Sequence, residues 1–355
     1  MSISKPRLAA IKYIRGISML GVVGIHTGSQ YLANPAANMH LVALFEVATR
    51  FSVPIFFFIT GYFTNNKRRL PEFAKNKLRT LIVPYIIACL AIIILGTLLG
   101  AHHGDAASAF KGWLSASLYG AGDSYTVPFT IKGIGAIWFL WATFWGSIFL
   151  RISLNFNKSS RVAAIFGLFA LGYYTRKLFW FPLSIQAGAC ATLFMYMGYL
   201  LKQNKDALNS LPKEAKIFGF GFAFVTWISF MKNFQSFWLV NCDIGRGMVD
   251  IFGCICACAM VILISRVIEE KLSFIGKPLA YFGKYSLLIL CVHIVELDLF
   301  PWWRIAWKLV QHNILPATYL SQLVFVIAGK LIIDLGCAFI MSKIPFVRKM
   351  FGFRN

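Results

Sequence analysis

Apolar residues along this chain come in long unbroken runs, without the period-two alternation of strands or the one-sided stripes of soluble helices. A helix needs about 20 mostly apolar residues to cross a bilayer. Ten runs approach that length: 13–33, 41–64, 80–100, 134–152, 162–176, 180–201, 215–232, 247–267, 279–299 and 318–342. The fifth is short and turns polar at its end. The pattern predicts an all-α, polytopic transmembrane bundle of about ten spans, forming one integral-membrane domain over 1–355. The first run carries Arg15 and continues to about residue 33, longer than a signal-peptide core, so it reads as a retained span. The longest connection, 101–133, is rich in Gly, Ala and Ser and is expected to fold over the membrane surface.

Composition supports that class. Hydrophobic residues make up 58% and charged residues 14%, against about 45–50% and about 25% in soluble domains. A soluble enzyme and a disordered chain are both excluded. The formal charge is +22, from 35 Lys+Arg against 13 Asp+Glu. With the N-terminus placed inside, 23 of the basic residues fall in inner segments and 8 in outer ones. That bias is what membrane insertion produces, and it predicts ten spans with both termini cytoplasmic in the inner (cytoplasmic) cell membrane. The charge therefore needs no nucleic acid to explain it, and lipids are the expected surroundings. The eight Cys lie mostly inside apolar runs and form no C-x-x-C, so they read as small buried side chains. Neither a metal site nor a disulfide framework is expected.

Charges inside the spans narrow the chemistry, because each costs about 2.5–3.5 kcal/mol to insert and needs a partner or a purpose. Arg15 and His26 are eleven residues apart in the first span, which puts them on one face about 16 Å apart along the axis. Singly, they read as a snorkelling cation and a helix–helix hydrogen bond. Together they read as the lining of a pathway, with Gly16, Gly21 and Gly24 allowing close approach. Glu46 and Arg50 in the second span suit an i,i+4 ion pair that is structural or that orients His26. Lys330 and Asp334, and Arg246 and Asp250, repeat that spacing. His293 reaches a depth similar to His26. His102 and His103 read as solvated. The stretch with Lys67, Arg68, Arg69, Lys75, Lys77 and Arg79 carries six positive charges and leads into the third span at Pro84-Tyr85. It reads either as an inner, headgroup-contacting segment or as a clamp for a phosphorylated ligand.

These motifs, in this order, resemble the integral-membrane acyltransferase-3 family. Arg15 and His26 match its Arg-x10-His signature. Pro54-Ile-Phe-Phe-Phe-Ile-Thr-Gly61-Tyr62-Phe63 is similar to its Phe-rich segment, with Thr60 where Ser is commoner. The basic run before Pro84-Tyr85, Trp138-Phe139-Leu140, and Gly283-Lys284-Tyr285-Ser286-Leu287 with His293 resemble three further motifs. The chain departs in lacking an Arg-x-x-Arg pair before the third span. The resemblance implies an O-acyltransferase, most commonly an O-acetyltransferase. Its donor would be acyl-CoA, usually acetyl-CoA, and its acceptor a hydroxylated sugar, glycan, lipid-linked sugar or other small molecule. On that reading His26 is the base or acyl carrier, assisted by Arg15, Glu46 and Arg50. The basic run binds acyl-CoA, and Trp138, Tyr62, Ser286 and His293 wall or support the acyl path. The competing reading is a transporter or exporter of a small polar metabolite, which would use the same buried charges as a substrate path.

Overall fold

The computed structural model describes residues 5–31, 51–65, 68–231 and 237–353. It is all-helical, and the pairing outside helices is limited to isolated bridges such as Tyr125 with Ile131 among the described residues. We number the helices α1 (Lys5–Tyr31), α2 (Ser52–Tyr62), α3 (Leu70–Lys77), α4 (Val83–His102), α5 (Ala106–Tyr119), α6 (Trp138–Ser153), α7 (Lys158–Thr175) and α8 (Ile185–Gln203). Beyond these come α9 (Lys205–Ser210), α10 (Lys213–Met231), α11 (Met248–Lys271), α12 (Ser273–Leu299), α13 (Trp302–Gln311), α14 (Tyr319–Met341) and α15 (Pro345–Phe351).

Each predicted span meets a helix wherever it is described. Six stretches are long and apolar enough to cross a membrane by length and composition: Leu70–His102, Gly135–Ser153, Pro182–Gln203, Met248–Lys271, Phe274–Leu299 and Tyr319–Met341. Among the described residues α1, α7 and α10 are not in that set, and α2 is a shorter apolar helix of 11 residues. The first ten residues of the predicted second span lie outside the described residues. Two features differ from expectation. The third span starts earlier, because α3 runs into α4 through a π-helical stretch, Leu78–Ile82, with no break in the chain direction. The connection 101–133 carries its own helix, α5, stopped by Gly120 in the left-handed region (φ 66°).

The chain divides into two units. The first comprises Met1–Val53, Lys213–Gln235 and Arg246–Val347 and holds α1, α10, α11, α12, α13 and α14. Its axis is the pair α1 and α12. A Cβ on Gly16 would overlap the Leu279 carbonyl, and one on Gly283 would overlap the Lys12 carbonyl. The two backbones touch there, which only glycine permits. On α12's other sides lie α14 and α11. The second unit comprises Pro54–Pro212, Ser236–Gly245 and Arg348–Asn355. In it α8 packs between α6 and α7, and α4 packs on α5. Outward-facing residues are apolar: Ile86, Leu90, Ile94 and Leu98 run down one side of α4, and Leu320, Val324, Ile332 and Phe339 are exposed on α14. Such faces are stable only against lipid or another apolar surface.

Candidate active site

In the first unit the glycine contact between α1 and α12 fixes their register, and His26 comes to rest beside His293, ring centroids 5.7 Å apart. His26 is half-buried and His293 fully buried. Nδ1 of His293 lies 3.1 Å from Oδ2 of Asp334 and 3.1 Å from Oε2 of Glu296. Glu296 sits one turn further along α12, so its carboxylate falls on the same face as the imidazole. Its other oxygen, Oε1, pairs with Lys330 Nζ at 3.3 Å and accepts the indole N–H of Trp302 at the start of α13. Four ionisable side chains thus share one buried pocket of charge, all at 6% exposure or less. In low dielectric such a group persists only if every charge has a counter-charge close by.

Lys330 and Asp334 both belong to this cluster. They are four apart on α14, but the contacts described above lead across to α12, Lys330 to Glu296 and Asp334 to His293. They reach α12 because both side chains point inward into the same interface. Arg246 and Asp250 pair as their i,i+4 spacing predicts, Nη2 to Oδ1 at 2.6 Å and Nε to Oδ1 at 2.9 Å. His293, Glu296 and Asp334 offer three ligand atoms within 4.8 Å of one another. The Lys330 ammonium already supplies the cation there, so the set reads as a closed charge cluster.

Other sequence-derived candidates fall in different settings. Arg15, eleven residues before His26, is exposed. Ser286 is half-buried, with its hydroxyl donated to the Gly283 carbonyl at 3.3 Å. Its hydrogen bond therefore serves the helix itself. Glu46, Arg50 and Lys67 lie outside the described residues.

In the second unit, Arg68, Arg69, Lys75 and Arg79 are exposed and Lys77 is half-buried, its ammonium 5.6 Å over the Phe73 ring. Arg69 approaches Glu72 at 4.0 Å, but both side chains are largely in solvent and the pair contributes little. The segment is held by its backbone. Buried Arg151 at the end of α6 donates from Nη2 to the Arg68 carbonyl at 3.0 Å, and Lys202 donates to the Thr64 carbonyl at 3.3 Å. In the sequence Arg151 and Lys202 are simply two of the 23 inner basic residues. Their role shows only once α6 and α8 bring them to the chain entering α3. Trp138 opens α6 and is buried, 6.4 Å from Phe57, and Phe139 lies 4.8 Å from Phe57 and 5.8 Å from Phe56. The Phe-rich α2 and the Trp-Phe-Leu motif therefore meet in one aromatic wall. Tyr62, at the end of α2, is half-buried with its ring against Phe63.

The sequence model of the acyltransferase-3 family, described as an acyltransferase domain, matches residues 8–338. The chain belongs to the acyltransferase-3 family. It is accordingly a multi-pass membrane acyltransferase, moving groups other than aminoacyl groups from an acyl donor. Comparison with curated proteins and with solved structures gave no match. For an acyltransferase, the two settings above divide naturally. An imidazole beside a dense charge cluster is equipped for proton transfer. A run of exposed cations on a pinned backbone is equipped to meet phosphate.

Proposed function

We propose that this acyltransferase is an O-acetyltransferase of the inner cell membrane. It takes its acyl group from cytosolic acyl-CoA, acetyl-CoA foremost, and passes it to a hydroxyl of a sugar, a glycan or another small acceptor. The observation that carries the proposal is His26: an imidazole in the last third of α1, half-buried, with a second imidazole and a set of buried charges next to it. Imidazole is the side chain best suited to take a proton near neutral pH. On this reading His26 accepts the proton of the attacking hydroxyl, and the oxygen bonds to the thioester carbon. The carbon–sulfur bond breaks, and the proton leaves with the thiol. Arg68, Arg69, Lys75 and Arg79 bind the phosphates of the donor nucleotide. The wall of Trp138, Phe56, Phe57 and Phe139 excludes water from the acyl chain, which limits hydrolysis of the thioester.

The test is thiol release from acetyl-CoA by the purified protein, with and without His26→Ala. We expect the wild type to release thiol and His26→Ala to lose at least about 10²-fold in rate, the range for removing a general base, while still binding CoA. Full thiol release by His26→Ala overturns the assignment.

A further inference from the structure

The charge cluster has one more feature than a structural lock requires. Nε2 of His293 is buried and makes no hydrogen bond among the described residues, although Nδ1 of the same ring faces two carboxylates. An idle buried ring nitrogen costs free energy unless some state of the protein uses it. The ring of His26 lies 5.7 Å away, centroid to centroid.

The balance of charge points the same way. Glu296 and Asp334 bring two negative charges into the buried group and Lys330 brings one positive. Half-buried Asp298 also acts on Lys330. A proton on His293 would bring the buried group closer to neutrality, which low dielectric strongly favours. Other charged neighbours are already committed. From α11, Asp250 is held by Arg246. From α1, Arg15 is exposed and lies three turns from His26. Trp302, from α13, anchors Glu296 through Oε1 and leaves Oε2 to His293.

We propose that His293, fixed by Asp334 and Glu296, is the second ring of a two-imidazole relay that stores the proton taken up by His26. This rests on the reading of His26 as the base. The acceptor oxygen forms its bond to the thioester carbon and gives its proton to His26. His26 passes a proton to Nε2 of His293, whose Nδ1–H stays on the Asp334 carboxylate. When the carbon–sulfur bond breaks, the proton returns along the same two rings to the departing sulfur. No oxidant, reductant or further reactant is needed. His293, Asp334 and Glu296 are then positioning residues that act through His26.

The full-length protein in detergent offers two readouts. With only six histidines, a ¹⁵N-histidine spectrum can be assigned by single substitutions. Asp334→Asn is expected to move the ring-nitrogen resonances of both His293 and His26. In thiol release from acetyl-CoA, His293→Gln should lower kcat about 10²-fold, leave KM for acetyl-CoA unchanged and alter the pH profile of kcat. Asp334→Glu should recover much of what Asp334→Asn loses. Unmoved His26 resonances in Asp334→Asn overturn the relay. So does full kcat in His293→Gln. A loss of kcat that follows a loss of melting temperature, and that Asp334→Glu does not restore, also overturns it and leaves a purely structural cluster. His26→Ala is run alongside. If it is inactive while His293→Gln is fully active, only the relay falls; if it is fully active, the base assignment falls.

Discussion

Basic side chains do opposite work in the two units. In the first, Lys330 is buried, its ammonium 3.3 Å from Glu296, and its charge is spent on holding the interior together. In the second, Arg68, Arg69, Lys75 and Arg79 stand in solvent, while two other cations, Arg151 and Lys202, grip the backbone leading to them. A buried cation is costly to leave without a counter-charge. An exposed one is cheap to leave ready for a ligand, because water screens it. Residue type therefore says little about role here. Burial and the identity of the partner decide it.

The sharpest way to break the comparison is at Lys330. Truncation to alanine leaves the Glu296 carboxylate buried without its ammonium, and breaking a buried pair in this way costs about 3–5 kcal/mol. Lys330→Ala should lower the unfolding midpoint in detergent far more than any single change among the exposed cations. Next in size is the glycine contact beneath His26. Gly16→Leu puts a side chain where the Leu279 carbonyl already lies. Overpacking of this kind costs about 1–3 kcal/mol. It should reduce both the melting temperature and the rate of thiol release, since the register of the two imidazoles depends on that contact. Smallest in stability is the combined change Arg68→Gln, Arg69→Gln and Arg79→Gln. Exposed substitutions of this kind shift stability by about 0.5 kcal/mol or less each. The triple variant should melt almost as the wild type does, yet bind CoA more weakly and with a shallower dependence on salt. Unchanged binding from low to high salt would move the donor site away from this segment.

Much of the fold was legible in the sequence, because a bilayer imposes a single length and polarity on everything that crosses it. The predicted last span, 318–342, and the helix Tyr319–Met341 differ by one residue at each end. Ser273–Leu299 was harder to delimit, because its first turns are amphipathic and contain Pro278. Helix α13 went unread. Its polar residues Arg304, Lys308 and Gln311 share one face opposite buried Trp302 and Ala306, but at 10 residues it is too short to register in a search for spans. At the site, His26 and His293 stood out as histidines at similar depth in separate spans. What the sequence did not disclose is that they are neighbours, or that Glu296 joins them. Local spacing ranks an i,i+4 partner first. In an apolar bundle, inward-facing charges also take partners that tertiary packing brings to them, and those partners are invisible until the helices are assembled.

The π-helical stretch Leu78–Ile82 has a consequence for the basic segment. A π turn accommodates one surplus residue, and in a regular helix each residue advances the azimuth by about 100°. The insertion therefore acts as a set screw on the shaft formed by α3 and α4. It leaves Gly96 and Gly100 of α4 against Trp113 and Ala109 of α5, while the compass bearing of Lys75 and Lys77 is dialled independently. Excision of a single residue from 78–82 would swing those two ammonium groups about a quarter turn or more without altering any cation.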